Sequence, residues 1–431
     1  MCKSKISLSI ALLALSLNVS ASSWNEIRKQ RISQLLPKAM ASANVDAWIS
    51  ICRENNNDPL AEHIGCENAG APAAVIFYRS KSKFNSIVFS PVGEATALKE
   101  MELHDKVVPV PRGSSAVAMA AELLNSLDLK TIAINSSVNN AQADGLSYSQ
   151  YLTLSELLGA TKANALVSSE ELVYQWLSIK LPTEISIMAE AARITAQWQE
   201  EAYRQVIPGK TTDAELAAFL KSKMKQLGVT DAWAPDQNPN VNSGSDRGHS
   251  HATDKVIMPG DIIQIDFGIK VEDRWVTDIQ RFAYVLKPDE LEPPDNIAHY
   301  WNSAKAGSRA AFAAMKPGAR GVDVDEAQRK VMESQGSLPV MWSTGHPVGY
   351  VAHDTGPNLG GSRGATVRPA SKRKLQSGMV FAFDGFYSWT LPSGGVKTIS
   401  VEEMVEITED GAKFLTSPQE ELILIRSKKY E

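Results

Sequence analysis

The sequence predicts two layered domains in tandem, an α/β domain followed by an α+β domain that repeats its own pattern. Three observations carry this. The chain has 431 residues, too many for one compact core at about 100–200 residues per domain. Over residues 24–172, short apolar runs rich in β-branched residues alternate with helical stretches, the pattern of an α/β layer. Over residues 173–431, a unit of helix, Pro-Gly break and helix occurs twice, each time followed by strands bearing Asp or His. Pro-Gly alone is a common helix terminator, so the strands that follow carry the case for an internal repeat.

At the N-terminus, Lys3 and Lys5 precede an apolar stretch, Ile6 to Leu17, and the small-residue site Val19-Ser20-Ala21. This predicts a secretory signal peptide, 1–21, cut after Ala21, and hence a periplasmic or secreted protein. A short membrane anchor is the alternative, but the apolar stretch is brief for one. Cys2 lies before the apolar run, so a lipid anchor is not indicated. Losing both lysines takes the net charge of −5 to about −7. With no strongly basic block, nucleic acid is excluded as a partner. No later apolar run approaches the roughly 18–20 residues of a membrane helix, so no membrane partner is expected after cleavage. Cys52 and Cys66 remain. In an exported chain they are either a disulfide or two buried thiols, and spacing alone does not fix which.

In the first domain, strands are expected at Ala47–Ile51, Ala74–Tyr78, Ser86–Phe89 and Thr131–Ile134, with a helix over Ala116 to Leu127. A boundary is expected within Leu172 to Ile185, where Pro182 stops one helical pattern and Thr183 caps the next. A long helix then runs to Val206, before Pro208-Gly209. Thr212 and Glu215 have the spacing of a capping box, and Leu216, Phe219, Leu220 and Leu227 share one helical face. Pro317-Gly318 and the helix start after Val322 echo this unit.

The chemistry concentrates in the strands that follow. Gly260 to Gly268 (GDIIQIDFG) places Asp266 between Ile265 and Phe267, and Arg274 to Ile279 reads as the return strand. A loop centred on Glu272 sets Asp266 directly opposite Asp278, with Cβ atoms about 4.5–5.5 Å apart. Two buried carboxylates that close repel unless a cation lies between them. A metal pair, about 3.5–4 Å apart, resolves the repulsion. Asp273 reads as a solvated turn residue. Ser343 to Gly349 (STGHPVG) flanks His346 with glycines, and His353 follows seven residues later. Alone, either histidine is more often structural than a ligand. An imidazole suits Mn, Co, Zn or Fe, and acidic company favours the harder ions. Asp384, in Phe383-Asp384-Gly385, and Glu402-Glu403 put acids on strand-like runs. Glu403, Glu409 and Asp410 read as exposed. Glu402 alternates with Val401, though pattern alone does not choose between 402 and 403.

The ordered motifs IDFG…TDIQR, STGHPVG…H, GMVFAFD and VEEMVEITEDG, with LSIKLPTEISIMAEAARIT upstream, resemble the pita-bread metallopeptidases. The branch they resemble is that of aminopeptidase P and prolidase. The resemblance covers about residues 175–425 well and the N-terminal domain loosely. It implies a creatinase-like N-terminal α/β domain over 24–172. Over 173–431 it implies a pita-bread catalytic domain with internal pseudo-twofold duplication. It further implies two divalent metal ions, Mn first and Co or Zn after it, held by Asp266, Asp278, His346, Asp384 and Glu402. His249 and His353 would be the substrate-side histidines, and His251 has no counterpart. The implied chemistry is hydrolysis of a small peptide at an Xaa-Pro bond through a metal-bridging hydroxide, by an aminopeptidase or dipeptidase. The quaternary state implied is a homodimer.

One position departs from the pattern. The family's glutamate, usually followed by Pro-Gly, is here Asp384 before Gly385. Its carboxylate reaches about 1.5 Å less, at a position that serves as ligand and general base, where geometry tolerates little error. Two rival readings follow. One is a hydrolase of a non-peptide amide or amidine on the same fold. The other is a catalytically impaired binding protein.

Overall fold

A computed structural model describes residues 23–66, 70–80 and 83–426. The expected signal peptide lies outside the described residues. Two sheets dominate. The first is six-stranded, in the order β4-β3-β2-β1-β5-β6, with β1 Ala47–Cys52, β2 Ala73–Ser80, β3 Lys83–Pro91, β4 Lys106–Val110, β5 Ile132–Ile134 and β6 Leu166–Ser168. The β1-β2-β3 meander is antiparallel, and β4, β5 and β6 join in parallel. The period-2 alternation of a strand assigns the two faces. Ala47, Ile49 and Ile51 enter a core with Ala120, Leu124 and Leu154 of the helices Ala116–Ser126 and Tyr148–Ala163. Trp48 and Cys52 face a larger core shared with the second half of the chain. Cys52 and Cys66 are joined as a disulfide, with Cα atoms 6.0 Å apart.

The second half is built on four helices: α1 Pro182–Tyr203, α2 Asp213–Leu227, α3 Asp295–Ala314 and α4 Gly321–Ser334. Each pair is separated by a Pro-Gly break. Thr212 caps α2 through the expected reciprocal box with Glu215. Pro182, whose missing N–H is harmless in a first turn, is the first residue of α1. Leu181 is therefore the N-cap, and Thr183, expected as the cap, lies inside the helix.

The helices lie against the second sheet, whose main path is β10-β11-β12-β9-β8-β7. These strands are β7 Asn240–Ser243, β8 Ile262–Phe267, β9 Ile279–Val285, β10 Gly345–Pro347, β11 Val380–Thr390 and β12 Val396–Ile407. On α1, the buried Gln199 amide donates to the carbonyls of Ile265 (3.0 Å) and Ile279 (2.7 Å), which ties the helix to β8 and β9. On α3, close packing requires Gly385. A Cβ there would lie 2.1 Å from the Ala304 carbonyl.

The hairpin between β8 and β9 corrects one expectation. Glu272 and Asp273 both have positive φ (50° and 56°). They fill a type I′ turn closed by Arg274 N–H to the Val271 carbonyl, 3.0 Å. Arg274 is an extra residue on the return side, so Val271 pairs with Trp275 and Asp266 with Gln280. Asp278 is thus one diagonal step from Asp266 instead of directly opposite. A shift of two residues keeps the face, so both acids still point the same way.

Candidate metal centre

Register builds the site. Across five adjacent strands the directly paired residues are Asn240, Asp266, Gln280, Glu402 and Asp384. Opposed residues share a face, so this is one polar row over the sheet. All five are buried, none more than 5% exposed. Asp278 enters from just before β9. His346, paired with Ala382 two residues before Asp384, enters on the same face from β10.

The side chains converge. One donor atom each from Asp278, His346 and Glu402 lies within 4.8 Å of the others. His346 Nε2 stands 3.6 Å from Asp278 Oδ2 and 3.8 Å from Glu402 Oε1. Asp266 and Asp384 stand outside that trio but add charge to it. Burial pushes Asp278 well above the usual carboxylate range, and Glu402, Asp266 and Asp384 push it further. Burial, then Glu402 and Asp266, raise Asp384 likewise, with Arg329 opposing. Burial and Asp266 lift Glu402 to about 8, while a hydrogen bond from Gln280 pulls it down. Burial holds His346 at about 3, so it is neutral and its contacts with the acids are not ion pairs. Nδ1 donates to the Pro347 carbonyl at 3.3 Å, which leaves the Nε2 lone pair facing Asp278 and Glu402.

This is a destabilising arrangement for protein atoms alone. Asp266 Oδ1, Asp384 Oδ1 and Glu402 Oε2 are buried without any hydrogen-bond partner among the described residues. An unpaired buried carboxylate oxygen costs several kcal/mol unless it is protonated or bound to a cation. Oxygen donors with one imidazole suit a divalent first-row ion. The residues present fit a metal centre.

The two outer histidines line the same cavity, of about 1020 Å³. His249 Nδ1 is 3.5 Å from Asp266 Oδ2, and that contact raises its pKa. The His353 ring centroid lies 4.2 Å from that of His346, and burial lowers its pKa. His251 is exposed and lines nothing here.

Several residues around the site escaped the sequence reading. Gln280 lies two residues after Asp278, so period 2 puts both on one face. Its Oε1 accepts from Gln264 Nε2 (2.6 Å) and Ser400 Oγ (2.7 Å), which turns its amide N–H towards Glu402. Glu403 was expected to be exposed but is 1% exposed. It accepts from Arg281 Nη2 at 2.9 Å and from the Gln419 N–H at 2.7 Å. Successive residues of β12 point to opposite faces and both faces are covered, so one glutamate faces the cavity and its neighbour faces Arg281. Asp354, beside His353, accepts from Lys180 Nζ (3.0 Å), the Tyr350 N–H (3.0 Å) and Gln142 of the first domain (2.8 Å).

Residues 186–409 match the model of metallopeptidase family M24. The chain is 27% identical over 323 residues to the uncharacterized peptidase YqhT of Bacillus subtilis, spanning 73% of this chain and 81% of that one. It is 29% identical over 249 residues to the Xaa-Pro dipeptidase of Pyrococcus furiosus, 57% of this chain and 65% of that one. Among solved structures it is similar to an X-Pro aminopeptidase from Thermotoga maritima, with a TM-score of 0.67 and 22% identity over 90% of this chain and all of that one. It is also similar to the dipeptidase PepE of Mycobacterium ulcerans, with a TM-score of 0.68 and 20% identity over 93% and 99%. These likenesses span both sheets, and the family match falls within the second half of the chain. The chain belongs to metallopeptidase family M24 and is a metal-dependent peptidase on the pita-bread fold of the aminopeptidase P and prolidase branch.

Proposed function

We propose that the mature protein is an exported exopeptidase that cleaves Xaa-Pro bonds in short peptides, as an aminopeptidase or dipeptidase, with two divalent ions held by Asp266, Asp278, His346, Asp384 and Glu402. The observation that carries it is the buried row of acids with orphaned oxygens around a neutral imidazole. Bound divalent ions would neutralise those acids, acidify water and polarise the scissile carbonyl, with Mn the first candidate and Co or Zn next.

The chain's own residues do the rest. Gln280, with its amide N–H turned towards Glu402, favours the charged form of that carboxylate. His249, held by Asp266, and His353 stand at the cavity wall as hydrogen-bond donors for a developing oxyanion. Asp384 keeps a carboxylate opposite Glu402, where it would serve as ligand and general base from a shorter side chain. Export is supported by the N-terminal pattern and by the Cys52–Cys66 disulfide, since disulfides persist in oxidising compartments. Among the described residues no helix is long and apolar enough to cross a membrane.

The test is metal analysis of purified protein, then hydrolysis of an Xaa-Pro peptide panel with Mn or Co added. Bound metal and cleavage are expected. Absence of metal, with no activity gained on addition, overturns the reading. The one-methylene deficit at Asp384 favours a second reading, an impaired binding protein, which metal uptake without turnover would reveal.

A further inference from the structure

Between α4 and β10, residue 337 and residues 339–343 line the same cavity as the acids. The backbone of this loop is pinned. Arg329, 4% exposed, pairs with Asp325 (3.1 Å), donates to the Val340 carbonyl at 2.6 Å and also to that of Trp342. The Leu338 N–H reaches the Ser388 carbonyl at 2.8 Å, and Ser337 Oγ accepts from the Ser388 N–H at 2.8 Å. Asp325 is itself saturated by Thr344 Oγ1 (2.6 Å) and the Ser362 N–H (2.8 Å).

Yet this pinned loop presents large apolar groups to water. Met341 is 90% exposed and Trp342 44%. The Trp342 ring stands edge-on to Phe386 (5.7 Å), whose own ring lies under the Arg329 guanidinium, and edge-on to His249 (6.5 Å). Val340, Met341, Trp342 and Trp233 line the same cavity as the acids. A mobile loop could fold such groups inward. A loop fixed by a buried ion pair keeps them exposed, and rigid apolar exposure at a cleft marks a ligand contact.

We infer that Trp342, with Met341, Val340 and Trp233, forms an apolar subsite that takes a bulky aliphatic or aromatic side chain next to the scissile bond. The inference rests on the peptidase reading above. The occupant is set by continuity with the catalytic cavity and by the contact of Trp342 with His249, which places the subsite beside the reacting bond. The enzyme therefore discriminates among short peptides by side-chain size.

The test uses the full-length mature chain loaded with Mn and a dipeptide series that varies the residue before proline through Gly, Ala, Leu and Phe. Across it kcat/KM should rise about 10- to 100-fold from Gly to Leu or Phe, the usual worth of added methylenes in an apolar pocket. Trp342→Ala should reduce that ratio to about threefold or less, mainly through a raised KM for the bulky substrates. Trp342→Phe should restore most of the preference. Met341→Ser, at a side chain that packs on nothing, should lower the ratio without a fall in Tm. A flat series in an active wild-type enzyme overturns the subsite and leaves the peptidase reading intact. So does an equal loss on every substrate in both variants. No cleavage of any peptide by the metal-loaded protein overturns the peptidase reading itself.

Discussion

Raising the pH should destabilise the metal-free protein between about pH 7 and 8, a direction opposite to the common one. Glu402 is raised to about 8, and Asp278 and Asp384 are raised as well. A carboxyl group with a raised folded pKa holds its proton more tightly in the fold than in the open chain. Its contribution to stability is complete below the unfolded value, 4.5 for Glu402, and is lost as pH climbs through the folded value. Each such group contributes a slope of about −1.4 kcal/mol per pH unit. The buried histidines act with the other sign. His63, His104 and His346 are lowered to about 3, 4 and 3. Their stabilising effect grows up to the unfolded value of 6.5 and is complete above it, so in the upper window the carboxylates are joined by His249, which Asp266 raises and which acts with the same sign. Glu402 by itself should cost about 1 kcal/mol from pH 7 to 8, or roughly 2–4 °C in Tm for a domain of this size. Thermal unfolding in chelator, at pH steps from 6.5 to 8.5, measures it. Added Mn should flatten or invert the slope, and Glu402→Gln should remove a share of it. The reasoning fails if the metal-free Tm is flat or rises across the window, or if Glu402→Gln leaves the slope unchanged.

Three further outcomes are expected. Asp384→Glu, which restores the missing methylene, should raise metal affinity in a chelator competition, and no change would mean that the shorter acid already reaches or does not ligate. Glu403→Gln leaves the Arg281 guanidinium buried beside a neutral amide and should cost about 3 kcal/mol in denaturant unfolding, with metal stoichiometry kept because Glu403 faces away from the cavity. Gln142→Ala removes the first domain's hydrogen bond to buried Asp354, costs about 2 kcal/mol, and should lower kcat through the neighbouring His353 while metal affinity holds. Unchanged kcat there would show that the first domain does not position that histidine.

Much of the fold was legible because its signals are local. Short apolar runs rich in β-branched residues marked β1, β2, β3 and β5, and Thr212 with Glu215 marked the start of α2. Asp266, Asp278 and Glu402 stood out as acids in strand-like runs. What was not legible depends on long-range pairing. The row from Asn240 to Asp384 exists only once five strands, spread between residues 240 and 407, lie in register. The hairpin register was misplaced by two because Glu272 and Asp273 take positive φ, a conformation uncommon for Glu, so the turn was centred one residue too early. Glu403 read as exposed because its buried partner, Arg281, lies 122 residues away. Asp325 and Arg329 had helical i,i+4 spacing, an ordinary surface pattern. Only burial reveals them as the clamp on the Trp342 loop.

The account turns on whether the acid row holds metal. Counting Mn, Co and Zn by mass spectrometry in the mature protein, purified without chelator and again after reconstitution with Mn, is the direct measurement. The account predicts up to two ions per chain, reduced by Asp266→Asn or His346→Ala. A protein that binds no divalent ion under either condition, or whose metal content ignores both substitutions, would contradict it.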